Sequence, residues 1–191
     1  MNLQTKMPTT ADEFLRWNEG REGKREFVRG RVVEMMVGVS KHHFAIVGRL
    51  LYQLMHQLGL KEYAIGSAEF GVRTEQGVRY PDVLVDRLVG AGSELAAKEP
   101  LLVAEVLSPS SYSRDFGEKV SDYASVPSLL YYVVLSQDEP RLWLWSRDLE
   151  GEWSGPLLIA GRGEKVELRR LEVVVDVSEI YDGLFDPDSN S

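Results

Sequence analysis

Along this 191-residue chain, helix-like and strand-like segments alternate as helix, strands, helix, strands, helix. That order predicts a mixed α/β (α+β) fold, a β-sheet covered by helices. Three observations carry the expectation. Apolar residues recur at three- and four-residue spacing after Ser40. The run 101–107 is apolar except for one acid. Residues 130–135 and 141–145 form a strand pair around Gln137-Asp138-Glu139-Pro140. The length and a hydrophobic content of 43% suit one domain over residues 1–191, with the polar stretch 186–191 expected as a loose tail.

Thr10-Ala11-Asp12-Glu13 has the Thr-x-x-Glu form of a capping box and Gly20 a stop, so a short helix is expected between them. Residues 25–28 and 31–35 flank Arg29-Gly30 and predict a hairpin with the glycine at positive φ, which puts Glu26 on a strand. Ser40 caps a helix whose apolar stripe is Ile46, Val47, Leu50, Leu51, Leu54, Met55 and Leu58, with Gly59 just past its end. Strands are expected at 63–72, 78–85 and 101–107, the last two joined by the Gly-, Ser- and charge-rich stretch 90–100. Asp115-Phe116-Gly117-Glu118 reads as a second capping box, opening a helix that must end before Pro127 and that carries Lys119 in its first turn. Strands near 165–168 and 171–175 follow, then a last cap at Asp176-Val177-Ser178-Glu179 ahead of the apolar Ile180, Tyr181, Leu184 and Phe185.

Two acids stand out. Alternation puts Leu101, Val103, Glu105 and Leu107 on one side of their strand and Leu102, Ala104 and Val106 on the other, so Glu105 has apolar neighbours on both faces. Asp82 follows Tyr80-Pro81 at the mouth of the preceding apolar run. Burying each carboxylate costs several kcal/mol, and two of them about 4 Å apart repel by about 4 kcal/mol at an effective dielectric of about 20. A divalent cation between them offsets both costs. Mg²⁺, with Mn²⁺ as the alternative, takes hard oxygen ligands and keeps several waters, so Asp82, Glu105 and a backbone carbonyl such as that of Val106 suffice. Without a metal, Glu105 would need a buried arginine such as Arg79 or Arg73, and Asp82 would be an ordinary turn residue. A lysine near an attacking water would orient it and stabilise charge on a phosphate. Lys119, one loop after Glu105, is the candidate; the alternative is a solvated lysine paired with Asp115 or Asp122 on its own helix.

The 22 Lys and Arg against 30 Asp and Glu, a net charge of -8, argue against a general nucleic-acid coat but less against an enzyme that needs only a local positive lane. The absence of cysteine excludes disulfides and thiolate chemistry and fits the cytoplasm, and no run approaches a membrane span or a signal peptide.

Pro81-Asp82 followed by a strand glutamate resembles the PD-(D/E)XK nucleases, except that Leu107 stands two positions after Glu105 where their lysine belongs. The likeness becomes specific over residues 26–35 and 43–51, Arg79-Tyr80-Pro81-Asp82-Val83-Leu84-Val85, residues 102–111, Arg114-Asp115-Phe116-Gly117-Glu118-Lys119, Tyr123 and residues 131–134. Over about residues 8 to 185 the chain is similar to the restriction-endonuclease (Uma) family of that superfamily, formerly a domain of unknown function. The resemblance implies a restriction-endonuclease-like mixed β-sheet flanked by helices, metal bound by Asp82 and Glu105, and the lysine moved to the next helix as Lys119. It also implies roles for Glu26, as second-metal ligand or water-positioning group, and for His43, on phosphate or water. An exposed hairpin acid and a surface or packing histidine are their ordinary alternatives.

Lys41, His42, His43, Arg49, Arg73, Arg79, Arg114 and Lys119 could together furnish a basic lane, and Trp143 and Trp145 could stack bases or fill a core or interface. These features point to a Mg²⁺-dependent endodeoxyribonuclease with DNA as substrate, acting as a homodimer if both strands are cut. The competing reading, favoured by Leu107 and the acidic balance, is a catalytically inactive nuclease-fold module that binds nucleic acid or protein. A two-carboxylate glycosidase fits less well, since no aromatic-rich sugar groove is legible.

Overall fold

The computed structural model describes residues 6–35, 38–108 and 112–185. The expected tail at 186–191, and Pro109, Ser110 and Ser111 of the family-like segment, lie outside the described residues. The chain runs α1 (Ala11–Asn18), β1 (Lys24–Val28), β2 (Arg31–Met35), α2 (Lys41–Gln57), β3 (Tyr63–Gly66), β4 (Val72–Thr74), β5 (Gly77–Arg79), β6 (Val83–Arg87) and β7 (Pro100–Val106). It continues through α3 (Tyr112–Asp115), α4 (Glu118–Ala124), β8 (Tyr131–Leu135), β9 (Arg141–Arg147), β10 (Trp153–Ala160), β11 (Lys165–Leu168), β12 (Val173–Asp176) and α5 (Val177–Tyr181). This is a mixed α+β fold, as expected. A six-stranded sheet in the order β10-β9-β8-β7-β6-β3 is antiparallel except between β7 and β8, and a four-stranded sheet β2-β1-β5-β4 and the ribbon β11-β12 adjoin it.

The predicted caps hold for α1, α2 and α5, where Thr10, Ser40 and Asp176 accept bonds from amides of the first turn. In α1 the reciprocal half of the box is displaced: Glu13 accepts from the amide and hydroxyl of Thr9 rather than from Thr10. The hairpin turn forms with both Arg29 and Gly30 at positive φ, at 50° and 75°, the requirement of a tight two-residue connection.

Several expectations are corrected. The stretches 63–72 and 78–85 each divide into two strands, and Tyr80-Pro81-Asp82 carries the chain from the four-stranded to the six-stranded sheet. Pro81 has no amide to give a ladder, so the strand breaks there. Asp115 caps nothing: it ends α3, and Gly117 precedes α4 without a side-chain cap. Strand β10 falls in a stretch where no strand was expected; it lies at the sheet edge with burial at only one position, so its apolar residues give no buried run. Leu101 packs in the cluster opposite Glu105, because one extra residue of β7 intervenes where the β6–β7 register shifts beyond Val85.

On one face of the large sheet, Ile46, Leu50 and Leu54 of α2 pack with Val83, Leu102, Ala104 and Val106 and with β11, β12 and α5. On the other face, Val103, Leu107, Tyr123 and Tyr132 pack with Trp145. Trp145 stacks on Tyr132 at 5.3 Å and is buried in this cluster, while Trp143 meets Phe116 edge-on at 4.9 Å and packs half-buried against it. A third cluster holds α1 on the small sheet through Phe14, Phe27 and Tyr80. There Gly77 passes so close that a Cβ would sit 1.9 Å from the Phe27 carbonyl oxygen. None of the described helices is long and apolar enough to cross a membrane.

Candidate active site

Asp82 sits just before β6 and Glu105 one residue from the end of β7. Val83 pairs with Ala104 in antiparallel register, so the next step along the ladder sets Asp82 beside Glu105. The Val106 amide donates to Asp82 Oδ2 at 2.9 Å and locks that step. Both acids line a cleft of about 440 Å³, together with Lys24, Ser40, His43, Val106, Arg114, Asp115, Lys119 and Gln137.

Lys119 reaches into this cleft from α4. Its Nζ lies 2.8 Å from Glu105 Oε1 and 3.0 Å from Asp115 Oδ1, with all three residues buried. The alternative of a solvated lysine is thereby overturned, although one of its proposed partners, Asp115, does pair with it. Glu105 does not use Arg79 or Arg73, the arginines weighed for it. Arg73 pairs with Asp12, while Arg79 is buried between Glu26 (2.7 Å) and Asp122 (2.5 Å). The Tyr123 hydroxyl supplies a second donor to Glu105 Oε1 at 2.8 Å.

Glu26, 1% exposed, is no exposed hairpin acid: it holds Arg79 and accepts from the Tyr80 amide at 3.3 Å, and it is not among the residues lining the cleft. His43, in the first turn of α2, brings Nε2 to 3.6 Å from Asp82 Oδ2, and Lys24 Nζ is 3.5 Å from Asp82 Oδ1. Ser40, which caps α2 below His43, also donates to Gln137 Oε1 at 2.6 Å, tying the helix start to the β8–β9 turn.

Burial drives the electrostatics. Burial and the nearby charges of Asp82 and Asp115 outweigh the attraction of Lys119 and push the Glu105 carboxyl up to about 8. For Asp82, burial also favours the neutral acid, but the nearby His43 imidazole, the Lys24 charge and the Val106 amide outweigh it and hold the carboxyl below its ordinary value. Burial opposes charge on Lys119 as well, yet Glu105 and Asp115 prevail and keep it an ammonium. The Glu26 and Asp122 charges do the same for Arg79 against its burial.

The broad basic lane does not assemble. Arg49 donates to the carbonyls of Ile180 and Asp182, Arg73 and Arg79 are paired as above, and His42 sits against Phe185. Of that set only His43, Arg114 and Lys119 line the cleft. Lys24 is a site residue that the sequence did not single out, and Tyr123 and Asp115, both named from the sequence, were given no place at Glu105. For Tyr123 and Asp115 a signal existed: each is four residues from Lys119, one helical turn away.

Among the described residues no three His, Asp or Glu side chains form a ready-made metal cage. The donor set still fits a hard cation that keeps its waters: two adjacent carboxylates in an open cleft, with a third, Asp115, buried beside them against Lys119.

A mixed sheet flanked by helices, with two acids on neighbouring strands and a lysine against one of them, defines a restriction-endonuclease-like protein. Its fold matches the crystal structure of a putative nuclease belonging to DUF820 from Anabaena variabilis, with a TM-score of 0.72 and 15% identity, covering 93% of this chain and 100% of that one. Residues 11–175 match the Uma2 family, described as "Putative restriction endonuclease", and the chain belongs to that family. It is 31% identical over 180 residues to the uncharacterized protein slr1290 of Synechocystis sp., covering 91% of each chain. To a second uncharacterized protein of the same organism, sll1609, it is 28% identical over 173 residues, or 88% of this chain and 96% of that one.

Proposed function

We propose that this protein is a Mg²⁺- or Mn²⁺-dependent endonuclease that hydrolyses DNA phosphodiester bonds in the Asp82–Glu105 cleft. The observation that carries the reading is the Lys119 ammonium 2.8 Å from Glu105 Oε1, on a strand whose register puts Glu105 beside Asp82. It answers the gap at Leu107, whose side chain is buried in the core and has no chemistry to offer. When bound, the cation offsets the two carboxylates, activates a water and stabilises the leaving oxygen.

Asp82 and Glu105, with the Val106 carbonyl, hold the cation. Lys119 keeps its charge beside them and donates to the attacking water or to a phosphate oxygen as charge develops. His43 donates to a phosphate oxygen from the other side of Asp82. Glu26 acts through Arg79 rather than on a second cation, since both its oxygens are engaged outside the cleft. The products are a 5′-phosphate and a 3′-hydroxyl, and a two-fold dimer brings one such centre to each strand.

Calorimetric titration with Mn²⁺ tests the site. Wild type should bind, and Asp82→Ala and Glu105→Ala should lose binding while remaining folded. No binding by wild type sinks the reading and leaves a non-cutting module. In a Mg²⁺ assay on supercoiled and linear DNA, Lys119→Ala should lower turnover by about 100-fold or more. Unchanged turnover would refute the lysine's role.

A further inference from the structure

The cleft does not end at Lys24. A second concavity of about 630 Å³ adjoins it, and Lys24 and Tyr80 line both. Arg21, from the α1–β1 connection, and Arg25, on β1, line the second concavity with Glu19 and Glu69. Three cations against two carboxylates leave it net positive in a chain of net charge -8.

The two arginines lie against the Trp17 indole, their guanidinium carbons 4.2 and 5.7 Å from the ring centre. Arg21 forms no ion pair among the described residues. Arg25 has only a 3.6 Å contact from Nε to the exposed Glu34, and its Nη1 has no hydrogen-bond partner. Stacking on Trp17, with a hydrogen bond from Arg21 Nε to the Trp17 carbonyl at 2.5 Å, holds these cations in place. Arg21 keeps its charge unpaired among the described residues, and Arg25 shares its own only with exposed Glu34. Elsewhere near the cleft the opposite holds: Arg79 is flanked by three carboxylates and Lys119 by two.

We propose that this second concavity binds the backbone phosphate flanking the scissile bond, so that one DNA strand runs from Asp82 and Glu105 across Lys24 to Arg21 and Arg25. The proposal rests on the nuclease reading and adds the path of its substrate. Contacts of this kind position a strand without reading its sequence. A concave trough beside the cleft admits one sugar–phosphate chain, and a short cationic path lets a strongly acidic protein hold DNA at all.

The test is fluorescence anisotropy of a labelled oligothymidine of about a dozen nucleotides, with Ca²⁺ in place of Mg²⁺, over a series of salt concentrations. Arg21→Ala/Arg25→Ala should bind it about 10-fold more weakly than wild type, and each arginine removed should flatten the log–log salt slope by about 0.7. Its Mn²⁺ affinity by calorimetry and its melting temperature should match wild type. Wild-type affinity and slope in the double variant would overturn the path, as would a wild type that binds Mn²⁺ but not the strand. A wild type that binds no Mn²⁺ would instead remove the nuclease reading beneath it.

Discussion

Glu105 Oε1 receives two donors, Tyr123 Oη and Lys119 Nζ, each at 2.8 Å, and this convergence fixes the carboxylate's rotation. Asp115 holds the lysine from its other side. Hydrogen-bond partners of metal ligands of this kind set ligand orientation, and losing one weakens metal binding by about 10- to 100-fold. Tyr123→Phe, which removes only a hydroxyl, should therefore weaken Mn²⁺ binding within that range, measured by calorimetry with circular dichroism confirming the fold. Unchanged affinity would reduce the hydroxyl to packing. At this scale the sequence was partly readable. An acid inside an apolar run announced Glu105, and the gap at Leu107 sent attention to Lys119. Tyr123 was named but its role stayed hidden, because a tyrosine in an apolar helix face is ordinarily core, and nothing in its spacing says that its hydroxyl meets a strand.

Arg79 joins elements rather than atoms: from the end of β5 it reaches Glu26 on β1 and Asp122 on α4, binding the small sheet to the helix that carries Lys119. Removing one partner of a buried ionic cluster leaves uncompensated charge and costs about 3–5 kcal/mol. Arg79→Ala should lose about that much in urea unfolding, and should disturb Lys119 secondarily; a loss below about 1 kcal/mol would mean that water fully replaces the guanidinium. Elements with strong local signals were legible: the Ser40-capped helix, the Arg29-Gly30 turn, and the β8–β9 pair. Those decided by tertiary pairing were not. Strand β10 pairs along β9 but buries one residue, so no apolar run marked it. The split at Tyr80-Pro81-Asp82 follows from a change of sheet, which local propensity does not encode, although Pro81 marked the place. Asp115 followed the spacing of a cap, but its carboxylate is engaged by Lys119 instead.

Over the whole molecule, the cost of burying Glu105 links folding, pH and cation. Its ordinary value near 4.5 is raised to about 8 in the fold. Between those values the unfolded chain releases this proton while the folded protein retains it, so stability falls as pH rises through the window. The contribution is complete below about 4.5 and lost above about 8. Asp82, held below its ordinary value, acts with the opposite sign and only at acid pH, where protonating it removes stability. A cation that takes ionised Glu105 must displace its proton, so its affinity should climb across the same window and reverse the slope. Melting temperatures with EDTA should therefore decline from about pH 5 to about pH 8, while saturating Mn²⁺ should give its largest stabilisation at the alkaline end. Glu105→Gln should flatten the EDTA curve and abolish the Mn²⁺ effect, because neither the proton nor the charge remains to be exchanged. If the EDTA curve rises instead, Glu105 is ionised throughout, and Lys119 with Tyr123 already satisfies it without a metal.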